Sequence, residues 1–484
     1  MNKIFKVIFS KAKGIFVATG ENTKAQGKSK HLKAATASVI IASVLGIVRN
    51  VGAVPVGTLP TITTIGSTIH LNESYQTGIQ SATSIEPEYK VADWDKKGIL
   101  NLNSSTTEIS EDTIIDGNNH NWLLKSSLDK KDSWAVFRNA STSNVIFKNF
   151  NVLSFDASDS NASLFGINSG YSSNYKFGED ENNRINHLIL KGDKTLINAS
   201  YYVKDLTLLA NRQIVCTIGK IDVNASGKVD AYGIIQANPN GEIKVQANQF
   251  NLHAVDSVAP NIALLRANTN AKINITASTI NINSENANTR AISAFGGEIN
   301  LKADNISVKG DINAGAVEDR MDPTKDTRTG SSVKIGLNDG STGILSIKGN
   351  IVTYNDTPDS DNQVILNLSN DKSIFEGSIS NQNIYQEKVT LEGEAGTTLN
   401  LSNGAQANFT GSSTVKTITS SGSTINNTNN AQIQVGTLNT ESGETTYNTT
   451  HTDEGQLSIG SRQGDGTLRI NLINGQATNQ LGGS

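Results

Sequence analysis

Cysteine and proline are nearly absent from this sequence, and aromatic residues are scarce. Cys216 is alone among 484 residues, proline occurs seven times, and aromatic residues make up 5% of the chain. A fold held by disulfide bonds within the chain is therefore excluded, because a single thiol has no partner. Cys216 lies in the apolar run 212–218, which predicts an inert core thiol rather than a reactive one.

Small and polar residues are abundant instead. Glycine occurs 42 times, charged residues make up 18% of the chain and hydrophobic residues 36%. The low charge density does not favour disorder, and the chain is long enough to build an extended core. A composition rich in Gly, Asn, Ser and Thr is typical of many short strands separated by polar turns.

Residues 1–53 have the layout of a long secretory signal. The first 33 residues carry eight lysines and a single acid, Glu21, and the apolar stretch Ala34–Val48 follows. This stretch has fifteen residues, fewer than the ~20 that a membrane-spanning helix needs. It ends at Val51-Gly52-Ala53, a small-residue site that predicts cleavage at Ala53.

The long basic region resembles a known class of leader. Met-Asn-Lys-Ile-Phe-Lys-Val-Ile at 1–8, Phe-Val-Ala at 16–18 and Gly-Lys-Ser at 27–29 are similar to the extended signal peptide region of type V secreted proteins. Phe9 stands where that family often has Trp, and 19–21 departs from its Ser-Glu pair. The resemblance implies export through the inner membrane, an outer-membrane translocation pore as partner, and a cell-surface or secreted destination.

Without this leader the protein is acidic. Nine of the 41 basic residues and one of the 45 acidic residues precede residue 54, which leaves 32 against 44 and a net charge of −12. Nucleic acid and anionic membranes attract proteins that cluster Lys and Arg. We therefore expect neither as a partner.

An internal repeat predicts the fold. The segment Ile243–Leu252 recurs as Ile273–Ile282 and again as Ile299–Val308, with apolar residues at matching positions. Apolar residues alternate within each copy, as in a strand with one buried face, and a three-residue step after the alanine indicates a corner. A further apolar pair precedes each copy: Ile234-Ile235, Leu264-Leu265 and Ala291-Ile292.

Three short strands per repeat predict an all-β chain wound as a right-handed parallel β-helix, a solenoid in which stacked coils supply one another's core. An immunoglobulin-like sandwich would show antiparallel hairpins instead. At about 25 residues per coil, the exported part makes roughly seventeen coils.

The domain boundaries follow from changes in this pattern. We expect an N-terminal cap and first coils in 54–130 and a β-helix in 131–390. The segments 315–332 and 355–363 lack apolar alternation and are expected to leave the β-helix as loop excursions. Low-complexity distal coils are expected in 391–484.

Some early segments resemble pectin-lyase-like coils, namely 113–120 and 136–150. Trp94, Trp122 and Trp134 lie in the same part of the chain. They are expected to pack the cap, with a carbohydrate-binding platform as the alternative.

The distal coils are similar to the distal passengers of autotransporters, whose narrow coils are filled by small residues. Autotransporters carry a C-terminal barrel whose strands alternate over ~10 residues. No such pattern precedes Ser484. The resemblance therefore implies either a truncated chain or export by a separate outer-membrane pore.

The β-helix also invites an enzyme hypothesis, since pectate lyases and polygalacturonases share this fold. Asp116, Asp156 and Asp159, with Arg138 nearby, are the candidate catalytic residues, because such reactions use acidic groups or a base beside acids. Asp116 precedes Gly117, as in a turn, and the other two acids are typical of solvated loops. The fold alone does not assign a reaction, and we expect no catalytic site and no cofactor.

Metal sites are not expected. The six histidines, at 31, 70, 120, 187, 253 and 451, show no zinc-ligand spacing. The acidic segment Asp356–Asp361 offers several oxygens that suit Ca²⁺, with plain solvation as the simpler alternative.

The sequence Asn238-Pro239-Asn240-Gly241 resembles an element of the secretion domain of two-partner exoproteins such as filamentous haemagglutinin. The same residues are favourable for a β-turn. A turn is the expected structure.

These observations predict an adhesin-like passenger of a type V secretion system, which binds host or neighbouring-cell ligands non-covalently. Two alternatives stay open: a two-partner exoprotein with a separate transporter, and a secreted polysaccharide lyase or hydrolase. The contact sites expected for the adhesin are the excursions at 315–332 and 355–363.

Overall fold

The structure is a computed structural model, and it divides into two compact units, Met1–Gly52 and Ala53–Ser484. The described residues are 5–10, 15–20, 62–65, 68–71, 74–78, 113–125, 135–138, 144–156, 165–168, 174–192, 195–199, 212–225, 233–254, 262–285, 289–315, 330–355, 361–383, 395–450, 457–473 and 481–482.

In the first unit, strands β1 (Phe5–Ser10) and β2 (Ile15–Gly20) pair antiparallel. The predicted cleavage site, Ala53, lies outside the described residues, so its position stays a prediction.

The second unit contains strands and no helix within the described ranges, and it winds through three faces in a repeating order. One circuit through faces 1, 2 and 3 is called a coil below. Face 1 contains β4 (Thr68–Leu71), β6 (Thr113–Asp116), β9 (Asn144–Lys148), β12 (Asn174–Phe177), β23 (Ser332–Leu337), β26 (Gln363–Leu368) and β29 (Gly396–Ser402). Face 2 contains β5 (Tyr75–Gly78), β7 (Asn121–Lys125), β10 (Val152–Asp156), β13 (Ile185–Gly192), β24 (Leu345–Lys348), β27 (Ser373–Gly377), β30 (Gln406–Phe409), β32 (Thr424–Asn427), β34 (Glu444–Thr450) and β36 (Thr467–Ile473).

Face 3 is a sheet of nine strands: β8 (Ala135–Arg138), β11 (Phe165–Asn168), β14 (Thr195–Ala199), β16 (Gly233–Ala237), β18 (Ala263–Ala267), β20 (Arg290–Ala294), β22 (Ile312–Ala314), β25 (Ile351–Asn355) and β28 (Ile379–Asn383). Some strands bend and serve two faces. Those that span faces 1 and 2 are β15 (Arg212–Ala225), β17 (Gly241–Ala254), β19 (Lys272–Ser284) and β21 (Glu298–Lys309). Those that run from face 3 into face 1 are β31 (Ser413–Ser421), β33 (Ile433–Ser442) and β35 (Leu457–Gln463), and β37 (Leu481–Gly482) pairs with the start of β35.

The predicted repeat coincides with the pairing register. Ile243, Ile273 and Ile299 are consecutive Cα partners in β17, β19 and β21, and their side chains are fully buried. The upstream pairs align in the same way on face 3. In these strands buried residues alternate with outward residues, because alternate side chains of a strand point to opposite faces.

The parallel β-helix predicted from the repeat is therefore confirmed. Every strand pair described within Ala53–Ser484 is parallel except β3 (Ile62–Ile65) with β4. This antiparallel hairpin pairs the first strand of face 1, an edge that would otherwise be open to other chains.

The coil length differs from the single estimate of 25 residues. Paired Cα positions on neighbouring coils are 20 to 39 residues apart in the middle of the chain. They are 18, 22 and 23 residues apart near the C-terminal end. Among the described residues fourteen strands stack on face 2, fewer than the roughly seventeen coils expected for the exported part. Long connections between strands raise the number of residues per coil above 25 in several places.

The first coils have an aromatic core. Trp122, Phe150, Phe147, Phe177 and Tyr175 form a continuous series of stacked or tilted rings with centroids 5.1 to 6.5 Å apart. The carbohydrate-platform alternative was wrong for Trp122, which is fully buried in this stack. Trp94 and Trp134 lie outside the described residues.

The last coils contain buried hydroxyl groups. Ser420 Oγ lies 2.6 Å from Ser423 Oγ and 2.7 Å from Thr445 Oγ1. All three residues are buried, and their mutual hydrogen bonds offset the cost of removing hydroxyls from water. Short side chains of this kind fit the narrow coils of 18 to 23 residues.

Cys216 is also a core residue, as the sequence predicts. It is 1% exposed, and burial raises the pKa of its thiol to about 12. The nucleophilic thiolate is therefore disfavoured at neutral pH.

Candidate functional surface

The residues predicted as catalytic candidates are dispersed over the β-helix. Asp116 ends a strand of face 1, Asp156 ends a strand of face 2, and Arg138 ends a strand of face 3. Asp159 lies outside the described residues. The three described residues do not share a face, so sequence proximity does not translate into one site for them.

Asp116 stabilises a turn through hydrogen bonds. Its Oδ1 accepts a hydrogen bond from the backbone N–H of Asn118 at 2.8 Å and another from Asn149 Nδ2 at 3.1 Å. Its Oδ2 lies 3.6 Å from His70 Nδ1. Asn118 has a φ of 47°, a left-handed conformation that such Asx contacts favour. This is the turn role that the Asp-Gly sequence predicts.

Four consecutive face 2 strands, β13, β15, β17 and β19, bring together a cluster that the sequence analysis missed. Asp222 Oδ2 lies 2.7 Å from His187 Nε2 and 3.0 Å from Lys220 Nζ. Asp222 Oδ1 accepts a hydrogen bond from Asn251 Nδ2 at 2.7 Å, and Asn251 accepts one from Asn281 at 2.9 Å. Asp222 is 3% exposed although its position alternates with the inward residues of β15.

The electrostatics of this cluster favour a structural role. Burial raises the pKa of Asp222, but hydrogen bonds from His187, Asn251 and Lys220 outweigh it and hold the pKa below its ordinary value. A carboxylate with a low pKa and both oxygens hydrogen-bonded is a poor general base. The cluster instead ties neighbouring coils together. Its sequence signal is the aligned triplets Ile-Asp-Val at 221–223, Phe-Asn-Leu at 250–252 and Ile-Asn-Ile at 280–282.

No three His, Cys, Asp or Glu side chains lie together as metal ligands in the part of the chain that the structure describes. The Ca²⁺ prediction rests on Asp356–Asp361, of which only Asp361 is described, and its side chain is exposed. The calcium site stays a prediction.

The turn prediction for residues 238–241 is confirmed. Asn240 has a φ of 61°, and the backbone N–H of Gly241 donates to Asn238 O at 2.8 Å. The next coil makes the same turn with Asn268-Thr269-Asn270-Ala271, in which Asn270 has a φ of 56°. The Asn-Pro-Asn-Gly sequence thus occupies an ordinary corner between faces 3 and 1.

That corner, called the 3–1 edge below, changes along the chain. In the middle coils three or four residues connect face 3 to face 1. Three later connections in succession are longer: seventeen residues between β22 and β23, seven between β25 and β26, and twelve between β28 and β29. In β31, β33 and β35 the chain then crosses the edge within one strand. Both predicted excursions therefore leave from the same edge, although 316–329 and 356–360 lie outside the described residues.

The bases of the two excursions are joined by one side chain. Asn362 Oδ1 accepts a hydrogen bond from the backbone N–H of Ser331 at 2.8 Å, and its Nδ2 donates to Tyr354 O at 2.6 Å. A Cβ on Gly315 would lie 2.8 Å from Asn362 Nδ2, so only glycine fits there. Asn362 is 2% exposed. It fixes the points where the chain leaves and re-enters two adjacent coils.

Carboxamide side chains form an outward column on the distal part of face 2. Asn426 donates to Asn408 at 2.7 Å, Asn448 to Asn426 at 2.8 Å, and Asn471 to Asn448 at 2.9 Å. Each bond uses one of two N–H donors and one of two oxygen lone pairs of an amide. The remaining groups point outward at intervals of about 4.8 Å.

Comparison with known proteins bears on the first unit. The family model described as the extended signal peptide of the type V secretion system matches residues 1–48. The chain carries a type V secretion leader. It is a type V secreted protein, exported across the inner membrane to the cell surface or released, and its export requires an outer-membrane translocation partner or domain.

No curated protein and no solved structure matches the chain. Within the residues that the structure describes, no helix is both long and apolar enough to cross a bilayer.

Proposed function

We propose that the protein is an adhesin-like passenger that binds host or neighbouring-cell ligands through the 3–1 edge. The observation that carries this proposal is the joining of the two excursion bases by Asn362. A buried asparagine with polar partners on two coils holds the bases of two long connections side by side. Connections positioned by a rigid scaffold are the usual carriers of binding residues.

The outward polar columns support a non-covalent, polyvalent mode of binding. The four-asparagine column of face 2 repeats the same donor and acceptor pattern on successive coils. Individually weak contacts that repeat on one rigid body add up, since every contact after the first forms at a high effective concentration. A net charge of −12 after the leader disfavours non-specific attachment to polyanions.

The test removes the first excursion while leaving the coils intact. Residues 316–329 are replaced by a Ser-Gly link between Gly315 and Gly330. The matched control replaces residues 226–232, which connect faces 2 and 3, with the Gly-Asp link found at 310–311. Binding of each fluorescently labelled protein to epithelial monolayers and to bacterial cells is measured, with circular dichroism to verify the β-helix.

We expect the first variant to lose most of its cell binding and the control to retain it. Equal binding by the two variants would contradict the proposal.

The lyase or hydrolase alternative is less well supported, because the described candidates Asp116, Asp156 and Arg138 lie on three faces. Turnover of acidic glycans by the purified protein would reverse this preference. The choice between an autotransporter and a two-partner exoprotein concerns the secretion route and is decided by the neighbouring reading frames.

A further inference from the structure

An open groove lies on the 3–1 edge, beyond the excursions. Its volume is about 510 Å³, and it is lined by Asn381, Ala395, Gly396, Thr414, Val415, Lys416, Gln434, Val435, Gly436, Ser458 and Gly460. These residues come from strands of four consecutive coils. At about 4.8 Å per coil, the groove runs for about 14 Å along the stack.

The groove originates from a break in face 3. The nine-stranded sheet ends at β28, and the next strand on this face, β31, meets it through a side chain. The backbone N–H of Ile379 donates to Ser413 Oγ at 3.1 Å instead of to a backbone carbonyl. Asn381 Nδ2 donates to Ala395 O at 3.2 Å, while its Oδ1 is buried without a hydrogen-bond partner among the described residues.

Glycines form the floor of the groove around one cation. Gly396 and Gly436 lie above and below Lys416 in the stack: a Cβ on Gly396 would lie 2.6 Å from Lys416 Cβ, and one on Gly436 would lie 2.7 Å from Lys416 O. Gly460 continues the same column. Three of four stacked positions thus lack a side chain, which leaves space beside the lysine.

Polar side chains form the wall. Thr414, Gln434 and Ser458 are Cα partners on consecutive coils, and all three are exposed. With Asn381 they offer hydroxyl and amide donors and acceptors. Among the residues that the structure describes, the lining contains no carboxylate and no aromatic ring.

We propose that this groove binds an extended oligosaccharide that carries carboxylate groups. The polar wall is suited to sugar hydroxyls, and Lys416 is suited to a carboxylate, since a charge-assisted hydrogen bond is roughly twice as strong as a neutral one. This assignment names a ligand for the 3–1 edge and so deepens the proposed adhesin function.

Other polymers fit less well. A nucleic acid is held by several cations, whereas the described lining of this groove contains one lysine, in an acidic protein. A peptide that adds a strand needs a free backbone edge. The wall strand β33 is already paired with β31 on one side and β35 on the other, and at the end strand β28 the N–H of Ile379 is already donated to Ser413 Oγ.

The test measures binding of a hyaluronan oligosaccharide and of an oligosialic acid to the full chain by isothermal titration calorimetry. An uncharged chito-oligosaccharide of matched length is the ligand control. Lys416→Gln removes the charge and keeps the polar chain length, and Gln434→Ala shortens the wall. Lys334→Gln, at an exposed position of β23 on face 1, is the charge-matched control outside the groove.

We expect binding of at least one acidic oligosaccharide, about tenfold weaker binding by Lys416→Gln, several-fold weaker binding by Gln434→Ala and no change for Lys334→Gln. The two acidic ligands distinguish a uronate source from a sialate source. The proposal is overturned if neither binds, if the uncharged oligosaccharide binds equally well, if both lysine variants weaken binding equally, or if an acidic peptide displaces the sugar.

Cell-binding assays with the same variants separate the two proposals. If Lys416→Gln binds cells like the parent protein, the groove assignment fails and the adhesin proposal stands. If the oligosaccharide binds the groove but the protein binds no cells, the adhesin proposal fails and the groove assignment stands.

Discussion

Replacing Tyr175 with phenylalanine is expected to stabilise the first coils. The Tyr175 side chain is fully buried in the aromatic stack, and its hydroxyl has no hydrogen-bond partner among the described residues. Burial of an unpaired hydroxyl costs about 1–3 kcal/mol in proteins, and phenylalanine removes that cost while keeping the ring that packs on Phe177 at 6.0 Å. We expect a gain of about 1.4 kcal/mol in the local free energy of unfolding.

Tyr447→Phe is the matched control. This tyrosine is 1% exposed, and its hydroxyl accepts a hydrogen bond from Asn427 Nδ2 at 3.1 Å. Its removal leaves a buried amide N–H without that acceptor, so we expect a loss of about 1 kcal/mol. The two substitutions are chemically identical, and only the hydrogen bonding of the hydroxyl differs.

Hydrogen exchange followed by mass spectrometry is the suitable assay, because solenoids open locally. Peptides that cover β12 and β34 report on the two sites separately. A gain of 1.4 kcal/mol slows exchange in β12 about tenfold. The reasoning is refuted if Tyr175→Phe speeds exchange in β12, or if both variants shift their own sites in the same direction.

The pH dependence gives a second readout. Burial raises the pKa of Tyr175 above its ordinary value of 10.0. An acid whose pKa is raised by folding favours the native state below the unfolded-state value and loses that contribution as the pH rises above it. Above about pH 10 the parent protein should therefore lose stability in β12 faster than Tyr175→Phe does.

Two further predictions concern the middle coils. Asp222→Asn should cost about 3 kcal/mol at neutral pH, because Lys220 loses its buried partner. Because the pKa of Asp222 lies below its ordinary value of 3.8, the carboxylate stabilises the fold above about pH 4, and this contribution is lost as the pH falls further. In urea titrations the free energy of unfolding of the variant should therefore fall less steeply with decreasing pH than that of the parent protein. An equally steep fall would argue against the cluster. Gly178→Ala should cost at least about 3 kcal/mol, because the φ of Gly178 is 85° and a Cβ there would collide with Thr217 O. Gly340→Ala is the control: its φ is 76° and nothing lies within 4 Å of a Cβ, so it should cost only about 1 kcal/mol. Equal shifts of the melting temperature for the two variants would show that the collision is relieved.

The core of the middle coils was predictable from the sequence because its repeat is nearly perfect. Phe250, Ile280 and Ile306 occupy the same place in three copies, and they are Cα partners in the structure. Strand pairing in a parallel stack aligns like with like, so an alternating apolar pattern specifies both the inward face and the register. The turn at residues 238–241 was predictable for the same reason, because its sequence favours a β-turn.

The candidate surface was less predictable, because it depends on connection lengths that vary. Asp222 alternates with the inward residues of its strand, a position that points away from the core, yet His187, 35 positions earlier, covers it. The groove likewise depends on a break between β28 and β31. Neither contact is visible without knowing that coils range from 18 to 39 residues. The lack of apolar alternation was enough to predict the two excursions. It did not predict that Asn362 joins their bases.

The shared register of β17, β19 and β21 has a consequence for how such a chain changes over generations. Gln213 faces Glu242, and Glu242 faces Lys272, so a gene that lost codons 242–271 would bring Gln213 directly against Lys272 without disturbing the aliphatic columns. Duplication would act in the opposite direction. The length of the β-helix can therefore change in steps of one coil, about 4.8 Å each, while the residues of the other coils stay unchanged.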